Sequence, residues 1–318
     1  ADHKVTVVGG VPTAIGAILQ IPVGENDISS MRTGLTGAAL LPPAVGARFK
    51  EVTGCHLHEI FGMTEASGLV SIDPLSGPGT VGSVGWQLPY TKVEILRLND
   101  DGSLGEPCAT DEIGVIAISG DHISPGYRDP KHNAGVFDDG RLNSGDLGYK
   151  DEQGCVYIAG RSKDLIIRSG HNIDPAMIEN VMSTHPAVAL AAAVGMPDAY
   201  AGELPVCFVE LLPDADVSIE DLQKHAQSAI DERPAWPKLI HVVDAIPLTT
   251  VGKIYKPSLR CDAAKRRISD LVQGEMGLTN ASVDVVAGGT RGMRVTVALP
   301  EDDQSSISDL EAALATFL

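Results

Sequence analysis

A hydroxyl beside a carboxylate closes an apolar run in this chain: Phe61-Gly62-Met63-Thr64-Glu65 follows directly on Leu57–Phe61. If that run is a buried strand, Thr64 and Glu65 stand where α/β sheets deliver ligands, at the carboxyl ends of strands. The pair suits a phosphate with Mg²⁺, an ion that takes one or two protein carboxylates alongside substrate phosphates. Taken alone, the same residues also read as a turn with a solvated Glu. Asn143-Ser144-Gly145-Asp146 reads as a polar turn between β-like runs. A carboxylate there can accept two hydrogen bonds from a cis-diol such as ribose, although a turn Asp is more often structural. Gly160-Arg161-Ser162-Lys163-Asp164 concentrates charge where the sequence changes character, which suits a hinge or an ordinary charged linker. Pro247-Leu248-Thr249-Thr250-Val251-Gly252-Lys253-Ile254 carries a lysine on a Gly-containing loop, able to reach an anion or simply to be solvated.

Two further patterns carry less. Gly77-Pro78-Gly79-Thr80-Val81-Gly82 fits GxGxxG, but no helical pattern follows and Pro78 contradicts a dinucleotide-binding turn. His56-Leu57-His58 places two imidazoles on one face of a strand. With no third ligand nearby in the sequence, a structural role is expected rather than a metal.

These residues need elements to hold them. Residues 1–76 read as α/β: β-branched Val5–Val8, helical spacing over Pro12–Leu19, and a helix over Pro43–Thr53 with Val45, Phe49 and Val52 on one stripe. From 77 to 160, short β runs (Lys92–Leu98, Gly114–Ser119, Cys155–Ile158) alternate with Gly, Asp and Pro clusters, predicting a small antiparallel β-barrel or sandwich. From 161 to 275 an α+β module is expected. Asp174 caps a helix with Pro175 at its first position, and Ser218 opens another. Strands are expected at Ala187–Val194, Val206–Leu212 and Leu239–Val243, and a β/α tail at 276–318. The predicted fold class is therefore α/β and α+β multidomain.

Composition narrows the partners. The 318 residues hold 24 Lys+Arg against 42 Asp+Glu, a net charge of −18, which argues against broad contact with nucleic acid or anionic lipid. Apolar residues make up 43% but aromatics only 4%, so Val, Ile, Leu and Ala must build the cores. No apolar run approaches the roughly 20 residues of a membrane helix. Five cysteines without a CxxC pair indicate neither a disulfide framework nor a thiolate zinc site, and a cytoplasmic setting is expected. The match to a glycosylation acceptor at Asn280-Ala281-Ser282 carries no weight beside that. The opening at Ala1, running almost at once into a strand-like stretch, reads as the middle of a longer protein.

Four strings in order, TGAALLPPAV (36–45), FGMTE (61–65), LNSGDLGYKDEQGCVYIAGRSKDLIIRSGHNIDPAMIE (142–179) and PLTTVGKIYK (247–256), resemble the adenylate-forming superfamily. That superfamily includes acyl-CoA synthetases, luciferases and nonribosomal-peptide adenylation domains. The resemblance covers residues 4 to 260 and, in its GHNIDP form, is most similar to AMP-forming acyl-CoA synthetases of fatty acid metabolism. It implies that Gly37, Ala38 and Ala39 line an adenine slot and that Phe61 stacks on the base. Thr64 would contact phosphate, Glu65 would hold Mg²⁺, and Asp146 would bind ribose with Arg161 beside it. Lys163 would be the hinge of a mobile C-terminal domain, Lys253 the cation of adenylation, and Gly170 part of a pantetheine tunnel. ATP and CoA would be co-substrates with a small carboxylic acid. The superfamily's Ser/Thr/Gly-rich phosphate loop is not in these 318 residues. The chain is therefore expected to be the C-terminal half of a synthetase, with doubtful activity alone and an apolar edge on residues 1–75. It would be oligomeric or associated with its missing N-terminal half. The alternatives are an adenylation domain that loads a carrier protein and a catalytically incompetent nucleotide-site fragment.

Overall fold

Two glycines set the spacing of the first sheet. A Cβ on Gly34 would press on the Phe49 ring and Leu57, and one on Gly37 would come within 2.5 Å of the Ile60 carbonyl oxygen. Both lie on β2 (Thr33–Gly37), between β1 (Val7–Gly10) and β3 (Leu57–Met63). The computed structural model describes residues 3–317 except 77, 78, 81, 100, 251 and 289–291. Three of the six GxGxxG positions, Gly77, Pro78 and Val81, thus lie outside the described residues. Strands β1, β2 and β3 are parallel, and β4 (Gly68–Ile72) and β5 (Trp86–Gln87) extend the sheet antiparallel in the order β1-β2-β3-β4-β5. Helices α1 (Pro12–Leu19) and α2 (Pro43–Thr53) occupy the expected positions, with Ile15, Phe49 and Leu57 forming a small core. Val5, Val7, Ile18 and Ile21 are exposed beside edge strand β1, as the sequence leads one to expect of residues 1–75.

The second sheet runs β11-β10-β8-β6-β7, from β6 (Lys92–Leu98), β7 (Leu104–Pro107), β8 (Gly114–Ser119), β10 (Arg141–Lys150) and β11 (Val156–Arg161), with β9 (Phe137–Asp138) paired to β10. No pairing joins β7 to β11 among the described residues, so the expected barrel is an open antiparallel sheet. Phe61, Val70, Val93, Ile116, Leu142 and Val156 share one buried cluster, so residues on both sides of position 76 form a single core.

The chain divides into two compact units: residues 1–163 with 250–253, and residues 164–249 with 254–318. The second unit holds a sheet of β12 (Ile166–Arg168), β13 (His171–Ile173), β14 (Val188–Asp198), β15 (Gly202–Leu211) and β16 (Leu239–Val243). It is covered by α3 (Pro175–Ser183), α4 (Ile219–Ala229) and α5 (Lys256–Ser269). The hairpin β17 (Ser282–Ala287) and β18 (Met293–Ala298) and helix α6 (Ile307–Ala315) pack a further core with Ala264, Ile268 and Val272. Helix α5 has no counterpart in the sequence reading, because its run of Lys, Arg and Asp breaks the apolar periodicity.

Asp174 accepts from Ala176 N at 2.9 Å and caps α3 as expected. Burial pushes its carboxyl up to about 6 from 3.8, against the pull of the Ala176 N–H and of Lys256. The folded chain thus holds this proton more tightly than the unfolded chain does. The associated stability is present below about pH 4 and is lost as pH rises through about 6. Asp174→Asn keeps a capping oxygen and removes the titration, so its melting temperature should exceed that of the wild type at pH 8, with the difference largely gone at pH 4. Asp174→Ala should lose about 1 kcal/mol of capping at pH 8. Thermal unfolding of the variants at the two pH values checks both.

Candidate active site

Parallel strands aim their carboxyl ends at one edge, and that edge of the first sheet collects most of the expected residues. Gly37 ends β2, and the turn through Ala38 and Ala39 follows it. Ala38 adopts φ 70°, a left-handed conformation costing a non-glycine residue about 1–2 kcal/mol, held in place by the surrounding sheet. Thr64 and Glu65 lie in the short helical turn Thr64–Ala66 that closes β3. The loop with Gly252 reaches the same edge within the first unit: Thr13 Oγ1, just beyond β1, donates to Gly252 O at 2.6 Å. Lys253 is the next residue. The structure therefore brings Gly37, Ala38, Ala39, Thr64, Glu65 and the Lys253 loop to one side of one sheet.

Phe61 sits on β3, with its ring buried in the shared core and 9% of the residue exposed. The stacking that the resemblance implies is therefore limited to the part left open. Asp146 corrects the turn reading. It lies within strand β10 directly across from Arg161 on β11, and Arg161 Nε donates to Asp146 Oδ1 at 2.9 Å. The bend there is a local irregularity of the ladder between Asn143 and Leu147, with Gly145 at φ 72°. Ser144 Oγ accepts from Asp146 N at 3.1 Å, fixing the carboxylate's backbone. The pairing orients a nearly buried carboxylate.

Tyr127 is a site residue that sequence reasoning missed. Its Oη donates to Glu65 Oε1 at 2.5 Å, which raises the phenol's pKa. Ser124 N also donates to Glu65 O at 2.7 Å, so the 124–127 segment fixes both ends of this residue. The Gly126-Tyr127 pair was the available signal, but it lies outside any periodic element. Asp73 was also missed. It stands within hydrogen-bonding distance of both His56 and His58. Glu65 offers a hard oxygen and Thr64 a hydroxyl at the strand end, a donor set that fits Mg²⁺ with substrate phosphates.

Lys163 lies in the short helical turn Ser162–Asp164, and the division between the units falls directly after it. In the second unit, Ser169 and Gly170 form the two-residue turn of the β12–β13 hairpin, at φ 50° and 80°. A turn with both φ values positive fits the strand twist and favours Asn or Gly. An added Cβ at Gly170 would meet open space. The backbone alone thus accounts for a glycine here.

The family described as "AMP-binding enzyme" matches residues 1–128, and "AMP-binding enzyme C-terminal domain" matches 177–253. The chain belongs to the adenylate-forming superfamily of AMP-binding enzymes, with the acyl-CoA synthetases as its relatives. It is 38% identical over 295 residues to the marinolic acid–CoA ligase of a Pseudoalteromonas species, covering 92% of this chain and 45% of that one. To the long-chain-fatty-acid–CoA ligase of Bacillus subtilis it is 36% identical, covering 81% and 45%. Among solved structures it is similar to ATP-bound MatB from Rhodopseudomonas palustris, with TM-score 0.75, 31% identity, and coverage of 81% of this chain and 51% of that one. It is also similar to the anthranilate CoA ligase AuaEII in complex with anthranoyl-AMP, with TM-score 0.76, 26% identity, and coverage of 83% and 51%. The chain spans about half the length of the relatives it matches. No helix among the described residues is long and apolar enough to cross a membrane.

The turn geometry at Gly170 makes a separable prediction. Gly170→Asn tolerates the left-handed conformation and should melt close to wild type, whereas Gly170→Leu should cost about 1–2 kcal/mol. Circular-dichroism melting of the two variants measures the difference.

Proposed function

We propose that the whole protein containing this chain is an AMP-forming acid–thiol ligase that joins a carboxylic acid to CoA at the expense of ATP. The observation that carries this reading is the gathering of Gly37–Ala39, Thr64–Glu65 and the Lys253 loop at the carboxyl edge of one parallel sheet. The substrate carboxylate oxygen attacks the α-phosphorus of ATP, the bond to pyrophosphate breaks, and an acyl-adenylate results. The CoA thiolate then attacks the acyl carbon, the carbon–oxygen bond to AMP breaks, and acyl-CoA leaves.

Each residue contributes through position and charge. Lys253 places its ammonium between the carboxylate and the α-phosphate, offsetting the negative charge that otherwise keeps two anions apart. Thr64 donates to a phosphate oxygen, and Glu65 with Thr64 would hold Mg²⁺, which when bound supplies charge neutralisation at the phosphates. Before the ion is held, Glu65 has to exchange its hydrogen bond from Tyr127. Asp146 accepts from the ribose hydroxyls, with Arg161 setting its orientation. Gly37, Ala38 and Ala39 present backbone to the adenine.

Lys163 is the pivot about which the second unit turns between half-reactions; the division of the chain directly after it supports this role. Gly170 then lies along the path of the thiol-bearing arm. The close relatives named as fatty-acid and marinolic acid ligases support an acid with a long apolar chain as the substrate class.

Lys253 offers the decisive test. In the whole protein, Lys253→Ala should lower ATP–pyrophosphate exchange by at least about 10²–10³-fold, the cost of removing one charge-stabilising donor. Thioester formation from supplied acyl-adenylate should stay within a few fold of wild type. Equal losses in both half-reactions would refute the assigned role.

A further inference from the structure

The amino end of β3 holds a second cluster of functional groups, at the opposite end of the strand from Thr64 and Glu65. His58 lies on β3, His56 just before it, and Asp73 follows β4, the antiparallel neighbour of β3. Asp73 N donates to Glu59 O at 2.9 Å, which holds the carboxylate against the histidine segment. His58 Nδ1 lies 3.0 Å and His56 Nε2 3.3 Å from one and the same oxygen, Asp73 Oδ2. The two rings meet edge to face, with centroids 4.6 Å apart. All three ligand atoms fall within 4.8 Å of one another, and among the described residues no other group of His, Cys, Asp and Glu does so.

Hydrogen bonds and metal coordination both fit the two distances to Asp73 Oδ2, and the ring nitrogens, within 4.8 Å of one another, would draw together around an ion. Ligand atoms about 2.0–2.1 Å from a tetrahedral zinc-class ion stand roughly 3.3 Å apart. Charge separates the two cases. The Asp73 side chain is 1% exposed and that of His58 3%. A carboxylate so deep is costly unless a positive charge accompanies it. Its ion-pair partners among the described residues are the two imidazoles, with no Lys or Arg, while Oδ1 accepts from Thr80 N at 3.0 Å. A divalent ion held by the carboxylate and the two imidazoles would compensate that charge. Gly79, at φ 70°, faces the cluster, and a Cβ there would collide with His56 Nε2 and stand 2.6 Å from Asp73 Oδ2. The glycine keeps that side of the ligand atoms clear of any side chain.

We propose that His56, His58 and Asp73 form a binding site for a divalent ion of the zinc class. His58 ligates through Nδ1 and His56 through Nε2, each keeping its proton on the other ring nitrogen, and Asp73 ligates through Oδ2. A water fills the fourth position, as in other sites with three protein ligands. The length of β3, at about 3.3 Å per residue, separates this site from Glu65 by roughly 20 Å. Its effect is structural: the ion ties the start of β3 to the end of β4.

Metal titration of the 318-residue chain, stripped with chelator, tests the proposal. One equivalent of Co²⁺ should give the intense visible absorption of a four-coordinate ion, and Zn²⁺ should displace it and raise the melting temperature. His56→Gln and Asp73→Asn should each weaken Zn²⁺ at least about tenfold. His56 is 21% exposed, so His56→Gln is the variant expected to fold, and far-ultraviolet dichroism verifies that. The proposal is overturned if the stripped chain takes up no stoichiometric Co²⁺. It is equally overturned if His56→Gln binds Zn²⁺ as tightly as wild type.

Discussion

The approach of β2 to β3 at Gly37 governs the site. A side chain at Gly37 would strike the Ile60 carbonyl, so only glycine lets the two parallel strands close to hydrogen-bonding distance with Gly37 opposite Ile60. That register decides where each strand ends. It places the Ala38–Ala39 turn and the Thr64–Glu65 turn on the same edge, and the Gly252 loop anchors to Thr13 beside them. Shifting β2 by one residue would face its side chains the other way and separate the groups gathered at this edge.

Below this edge, one core unites elements that the sequence presents as separate. Phe61 and Val70 from the first sheet pack with Val93, Ile116, Leu142 and Val156 from the second. The Asp146–Arg161 pair stands on the second sheet's β10 and β11, so the Asp146 carboxylate is positioned by the same packing that holds β3. The second unit has charge pairs of its own. Lys256 meets Glu179 at 2.7 Å, and Glu179 also accepts from Ala193 N, fastening α5 and α3 to β14.

Local signals were legible where a single physical rule dominates. Helices at Pro12–Leu19 and Pro43–Thr53 follow from spacing and an N-terminal Pro, and the Asp174 and Ser218 caps follow from side-chain chemistry. Strands Lys92–Leu98 and Gly114–Ser119 emerged with their boundaries, because Gly, Asp and Pro clusters bracket β-branched runs. What failed was long-range information. Asn143–Asp146 looks like a turn because its residues favour turns, and it does bend at Gly145, yet Asn143 pairs with β8 and Asp146 with β11, so the bend is an irregularity inside strand β10. Barrel closure depends on edge pairing, which composition does not encode. Asp73 is separated from His58 by fifteen residues and a strand reversal, so no spacing rule joins them. Tyr127 reaches Glu65 across 62 positions for the same reason. The family was legible because its strings are long and occur in order, not because any one string is informative.

The shared core has a consequence for how this protein tolerates being divided. Position 76 looks like a boundary by composition, but a cut there would leave Phe61 and Val70 facing water on one piece and Val93, Ile116 and Leu142 on the other. Each half would then carry a sticky apolar face, and neither would be a usable module. A division that keeps this core whole has to fall elsewhere, at a joint where no buried cluster is split.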